Sequence, residues 1–244
     1  LALALQQEGA KVGLLDADVY GPSQPTMLGI TDKPYSVDGK TLEPMIAHGL
    51  QVASVGVLID PDQPMIWRGP LAVSALQQLL KQTNWKDLDY LTVDMPPGTG
   101  DIQLSLSQEV PLTGAVVVTT PQDIALMDAR KGLVMFEKVN VPILGIIENM
   151  ATHICSKCGH EEHIFGEGGA AKMAAQYGVD LLGELPLDIN IRLSMDKGEP
   201  IVISEPDSKV AQVYRDIARK LAIAVSKKNK DYSAKMPSIK VSDT

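Results

Sequence analysis

Short apolar runs rich in valine, isoleucine and leucine recur along the 244 residues, with room for a helix between most of them. They fall at 12–15, 50–58, 90–93, 115–119, 143–147 and 181–185. Continuous apolar runs of this length suit strands buried on both faces, and such strands need helices above and below them. Helical patterns occupy 71–82, 124–139, 168–177 and 210–226. The alternation predicts an α/β fold: a doubly wound, mainly parallel sheet with helices on both faces. One domain over 1–226 accounts for every run, and the polar, lysine-rich stretch 227–244 reads as a frayed tail. Residues 1–9 look like the second half of a helix closed by Gly9. Parallel neighbours are joined by crossover helices, so this helix is expected to follow a strand lying upstream of Leu1.

A formal net charge of -8 argues against nucleic acid or an anionic membrane as partner, since both favour basic surfaces. No stretch of 18 apolar residues occurs, and no basic segment precedes the opening leucines, so the cytoplasm is the expected compartment. Two cysteines three positions apart cannot staple a chain of this size. Metal or redox chemistry is the better use for them.

Polar clusters gather at the carboxyl ends of the predicted strands, where open α/β sheets place their ligands. After the first run come Asp16 and Asp18, within Asp-Ala-Asp-Val-Tyr-Gly-Pro-Ser. Carboxylates there can hold hydrated Mg²⁺ or orient an attacking water; an Asx turn is the plainer alternative. After the third run comes Asp94, followed by Met-Pro-Pro-Gly98-Thr-Gly-Asp. An aspartate at a strand tip has Walker B placement for Mg²⁺, and the following glycine can offer its N–H to a γ-phosphate. A surface turn would explain the prolines and glycines but not the repeated strand-tip carboxylate. A third tip carries Asn149, whose amide suits an adenine edge, though a turn cap is the plainer reading of a lone asparagine there. The pattern G-x-x-x-x-G-K-[ST] does not occur; its nearest approximation, from Gly166 to Met173, reads as a glycine-rich lead into a helix.

Cys155 and Cys158 lie in His-Ile-Cys-Ser-Lys-Cys-Gly-His-Glu-Glu-His, a knuckle able to place two thiolates on one metal centre. Closure within the chain by His160 and His163 would make a cramped zinc site, and a redox dithiol would sit more naturally at a helix start. A [4Fe-4S] cluster takes four thiolates, so two chains contributing two each could share one. Arg68, beside Trp67, could meet a phosphate but is better explained by packing on the indole.

Taken together, Asp16 to Ser23, Trp67-Arg-Gly, Asp94 to Asp101, Thr120-Pro-Gln-Asp, Glu148-Asn-Met and Cys155-Ser-Lys-Cys158 resemble the Mrp/ApbC family, which includes NUBPL proteins. These are deviant-Walker-A P-loop ATPases that carry iron–sulfur clusters and are related to ParA and MinD. The resemblance runs from Leu1 to about Ser226. It implies a homodimer whose Cys155 and Cys158 bridge a [4Fe-4S] cluster for delivery to apo-proteins. It also implies ATP and Mg²⁺ as cofactors, Asp16 and Asp18 in switch I, Asp94 as the Walker B residue and Gly98 in switch II. Asn149, with Pro186 and Asp188 after the last strand, would contact adenine. A related nucleotide switch stabilised by zinc, or an interaction module without cluster transfer, is the alternative. The family's G-K-G-G-V-G-K-[ST] loop precedes the helix within which this chain opens, so the 244-residue polypeptide is expected to bind ATP weakly or not at all.

Overall fold

The computed structural model describes residues 1–58, 69–155 and 157–228. The chain runs α1 (Ala2–Gln7), β1 (Val12–Asp16), α2 (Gln24–Met27), β2 (Met45–Ala47), β3 (Leu50–Ser54), α3 (Gly69–Gln82), β4 (Tyr90–Asp94) and α4 (Asp101–Glu109). It continues through β5 (Ala115–Thr119), α5 (Asp123–Lys138), β6 (Ile143–Glu148), β7 (His153–Ile154), β8 (Glu161–Glu162) and α6 (Gly169–Tyr177). The last elements are β9 (Leu181–Glu184), α7 (Ile189–Asp196), α8 (Ile201–Ser204) and α9 (Lys209–Ser226). Trp67 and Arg68, and the tail beyond Lys228, lie outside the described residues.

The expected parallel pairing is present, arranged as two ladders. One has the order β2-β3-β1-β4, with β1 parallel to both β3 and β4 and only β2 antiparallel. The other is β5-β6-β9, parallel throughout. Among the described residues β4 and β5 each have one edge without a partner strand. The 50–58 run is strand only to Ser54 and then tightens into a 3₁₀ turn over Val55–Leu58, turning the backbone after Ser54.

One apolar cluster unites the ladders. Ala2 to Leu5 of α1 and Ile217, Ala218 and Leu221 of α9 pack with Val12, Leu14 and Val52 from the first ladder and Leu144, Ile147 and Leu182 from the second. On the opposite faces, α3 and α4 cover Leu15 and Ala53, while α5 and α6 cover Val117 and Ile146. Every β1 residue is buried, Val12 to Leu15 as their unbroken apolar run predicts and Asp16 along with them.

Local chemistry fixes the helix ends. Asp188 accepts the Asn190 N–H at the start of α7, and the Ser208 hydroxyl accepts the Ala211 N–H at the start of α9. The glycine-rich lead into α6 is used as read: Gly168 takes a left-handed φ of 68° at its N-cap.

Candidate functional site

The β1–β4 ladder places Asp16 directly opposite Asp94, so the first two strand-tip carboxylates meet. The loop leaving β1 is tied to β4 by the Ala17 N–H, which donates to the Asp94 carbonyl at 2.8 Å. Asp16 is fully buried. Its Oδ2 accepts the Ser54 hydroxyl at 2.9 Å and the Gln24 N–H at 3.2 Å, and its Oδ1 accepts the Asp18 N–H at 3.3 Å. Burial pushes the Asp16 carboxyl up to about 6, against the opposing pull of those donors; nearby Asp94 raises it further. Burial also raises Asp94, and the Gln24 amide, donating to its Oδ2 at 2.7 Å, partly offsets this. Gln24 therefore clamps both carboxylates, one through its backbone and one through its side chain.

Asp18 is placed differently. Its Oδ1 accepts the Tyr20 and Gly21 N–H groups at 3.0 and 3.2 Å, the Asx turn that its sequence allows. It is only partly buried, and its charge raises Asp94. The loop after β4 turns at Gly98, whose φ of +94° is a conformation that favours glycine. The Gln103 amide, reaching back from α4, donates to the Pro97 carbonyl and holds that loop.

The third tip is built around Glu148 and Asn149. The Asn149 N–H donates to the Thr119 carbonyl at 2.7 Å, which aligns the ends of β5 and β6. Its Oδ1 accepts the Met150 N–H at 3.0 Å, the turn-capping use of the side chain. Asp188 already caps α7, and Pro186 lies two residues before it in the loop leaving β9.

The two cysteines occupy the tip of the β7–β8 hairpin, whose rungs pair His153 with Glu162 and Ile154 with Glu161. The Cys155 N–H donates to the His160 carbonyl, and the Gly159 N–H donates to the Cys155 carbonyl at 2.8 Å, folding the tip into a knuckle. Cys155 is half-buried and Cys158 exposed. Backbone donors at Cys158 and Lys157, with the Cys158 side chain, hold the Cys155 thiol below its ordinary value. The His163 Nδ1 hydrogen-bonds the Ala151 carbonyl at 3.0 Å. Among the described residues no group of three or more His, Cys, Asp or Glu side chains converges as a complete metal site.

Strand-tip spacing in the sequence located Asp16, Asp94 and Asn149. It gave no role to Gln24 and Ser54, which bond the carboxylates from other elements, to Gln103, which holds the loop after Asp94, or to Glu148, which appeared only within the Glu148-Asn-Met motif. Gln24 alone carried a local signal, following the Gly-Pro-Ser turn after Asp18.

Paired carboxylates at the tips of adjacent parallel strands, with a glycine turn after the second, lie at the ligand edge of an α/β sheet of the P-loop class. The comparisons narrow that class. Residues 1–222 match the family described as ParA: NUBPL iron-transfer P-loop NTPase, and the chain belongs to that family. It is 61% identical over 223 residues to an iron-sulfur cluster carrier protein of Escherichia coli, covering 91% of this chain and 60% of that protein. It is 50% identical over 218 residues to the iron-sulfur cluster transfer protein NUBPL of Mus musculus, covering 89% and 68%. The chain thus spans about 60% of the length of the bacterial relative. Among solved structures, a nucleotide-binding protein from Archaeoglobus fulgidus in complex with ADP superposes with a TM-score of 0.73 at 33% identity, covering 87% of this chain and 84% of that one. The cell-division ATPase MinD of Pyrococcus furiosus shares the fold, with a TM-score of 0.65 at 22% identity over 91% and 90% of the two chains.

Proposed function

We propose that this chain is the body of an ATP-dependent iron–sulfur carrier, in which two copies hold one [4Fe-4S] cargo between their Cys155–Cys158 knuckles and pass it to apo-proteins. The observation that carries the proposal is the knuckle itself: two thiols three positions apart at the hairpin tip, Cys155 half-buried and Cys158 exposed, with the neighbouring His163 ring engaged by the Ala151 carbonyl. Two thiolates are half a four-iron site, and a second copy supplies the other half. Ile154 and Ile164, at 54% and 51% exposure, flank the tip and give such a pairing apolar surface to bury.

The nucleotide side follows from the carboxylate pair. The donor set fits a hard cation, because Asp16 and Asp94 stand opposite each other on adjacent strands as oxygen ligands tied together by Gln24, with Ser54 beside Asp16. Asp94 would hold Mg²⁺, which when bound neutralises phosphate charge. Asp16, with both oxygens engaged, anchors the loop; Asp18, with only Oδ1 engaged by backbone donors, is the group free to orient a water. Gly98 presents a backbone N–H toward the transferred phosphate, and Asn149 with the Pro186–Asp188 loop recognises adenine.

The test is anaerobic reconstitution with ferrous iron and sulfide. About four irons per two chains are expected, falling to background in Cys155→Ser and Cys158→Ser. One zinc per chain with no iron uptake would instead establish the zinc-stabilised switch.

A further inference from the structure

The loop after β9 and the cysteine hairpin share a hydrogen-bonded seam that neither the thiols nor the carboxylates require. The Ala151 N–H donates to the Leu185 carbonyl at 2.9 Å, and the Leu187 N–H donates to the Thr152 carbonyl at 2.7 Å. The His153 ring completes the seam, with Nδ1 at 3.2 Å from the Leu187 carbonyl; a carbonyl only accepts, so Nδ1 carries the proton. Glu148 secures the base of the hairpin from below. Its carbonyl accepts the Leu185 N–H at 2.8 Å, and its buried Oε2 accepts the Ala170 N–H at 2.6 Å, in the first turn of α6, where the chain returns from the hairpin.

We propose that residues 185–188 and the hairpin form one mechanical unit, in which His153 is the positioning residue that fastens the thiol pair to the adenine edge. This rests on the carrier reading above, and deepens it by naming the connection between nucleotide and cargo. The hairpin has only two ladder rungs of its own, so its orientation is set at its base. Cys155 is two residues beyond His153. A displacement of Leu187 on seating of an adenine ring is therefore delivered to the sulfur through Thr152, His153 and Ile154. Coupling is reciprocal, so if seating of adenine reaches the thiols through the seam, cargo on the thiols acts back on it.

That reciprocity gives a test that needs no nucleotide. Amide hydrogen exchange is measured on the cargo-free and the [4Fe-4S]-loaded protein. Loading is expected to slow the Leu187 and Ala151 amides by about tenfold. His153→Leu should take up cluster, read by its visible absorbance, yet lose most of that slowing. His153→Gln, whose side-chain amide can donate to the same carbonyl, should retain it. Leu187→Pro, which removes the loop's donor to the Thr152 carbonyl without changing any hairpin residue, should also lose the slowing at Ala151. Cluster uptake without slowing in the unmodified protein, or equal slowing in His153→Leu and Leu187→Pro, overturns the coupling and leaves the carrier reading intact. No iron uptake at all overturns the carrier reading, and the coupling with it.

Discussion

Asp16 is the residue with the largest conflict between charge and surroundings. Its carboxyl rises from 3.8 to about 6 because burial outweighs the Ser54, Asp18 and Gln24 donors. Between those two values the folded chain holds a proton that the unfolded chain has released. Stability therefore falls as pH rises through that window, and the deficit is complete above about 6. At roughly 1.4 kcal/mol per pKa unit, the ionised group costs about 2 to 3 kcal/mol at neutral pH. Asp16→Asn cannot ionise, so the difference in unfolding free energy between variant and parent should shift by that amount from pH 4 to pH 7. Urea denaturation at both values measures it, and parallel pH profiles would show that Asp16 is not the source. Such strain suits a group that becomes ionised beside a cation. The motif around Asp16 was legible in the sequence, but its conflict was not. The conflict comes from burial, which the Ser54 and Gln24 donors only partly relieve, and both burial and donors depend on the β1–β3 register and the turn into α2 rather than on the local motif.

Among elements, those with an unambiguous apolar period were readable and those with two competing periods were not. The 115–119 run is β5 to the residue, because five β-branched or small residues in a row have no helical reading. Asp101–Glu109 is a helix although Ile102, Leu104 and Leu106 alternate as a strand would; the pairs buried are Ile102 with Gln103 and Leu106 with Ser107, a spacing of four. Ile189–Asp196 has the same ambiguity in Ile189, Ile191, Leu193 and Met195, and Asp188 decides it by capping α7. Helix α9 was predicted, but not how closely it lies on β9. A Cβ on Gly183 would come within 2.5 Å of the Ile217 side chain, so the missing side chain is what admits the helix. Gly183→Ala should cost about 1 to 3 kcal/mol of stability through overpacking. A second substitution, Ile217→Val, should recover part of the loss. Thermal unfolding of the single and double variants would settle the point, and a neutral Gly183→Ala would mean that α9 can shift on the sheet without cost.

At the scale of the molecule, the fold keeps two chemistries on separate supports. The carboxylates belong to the β2-β3-β1-β4 ladder, and the cysteine hairpin leaves the β5-β6-β9 ladder. α1 and α9, packed against both ladders, make them one body. The arrangement leaves the thiols at an exposed tip, where a shared cargo can form only if two tips meet. Association and loading are then linked by mass action: whatever binds the paired state and not the single chain must stabilise the pair. At concentrations where the cargo-free protein sediments as one chain, the [4Fe-4S]-loaded protein should sediment at twice that mass, and chelation of the iron should return it to one. Cys158→Ser, which retains the hairpin but supplies one thiol per copy, should remain single under the same reconstitution. The decisive result is the mass of the iron-bearing species. Iron and sulfide migrating with a single chain would require the remaining ligands to come from that same chain or from solvent, and the bridged carrier would have to be abandoned whatever the total iron content.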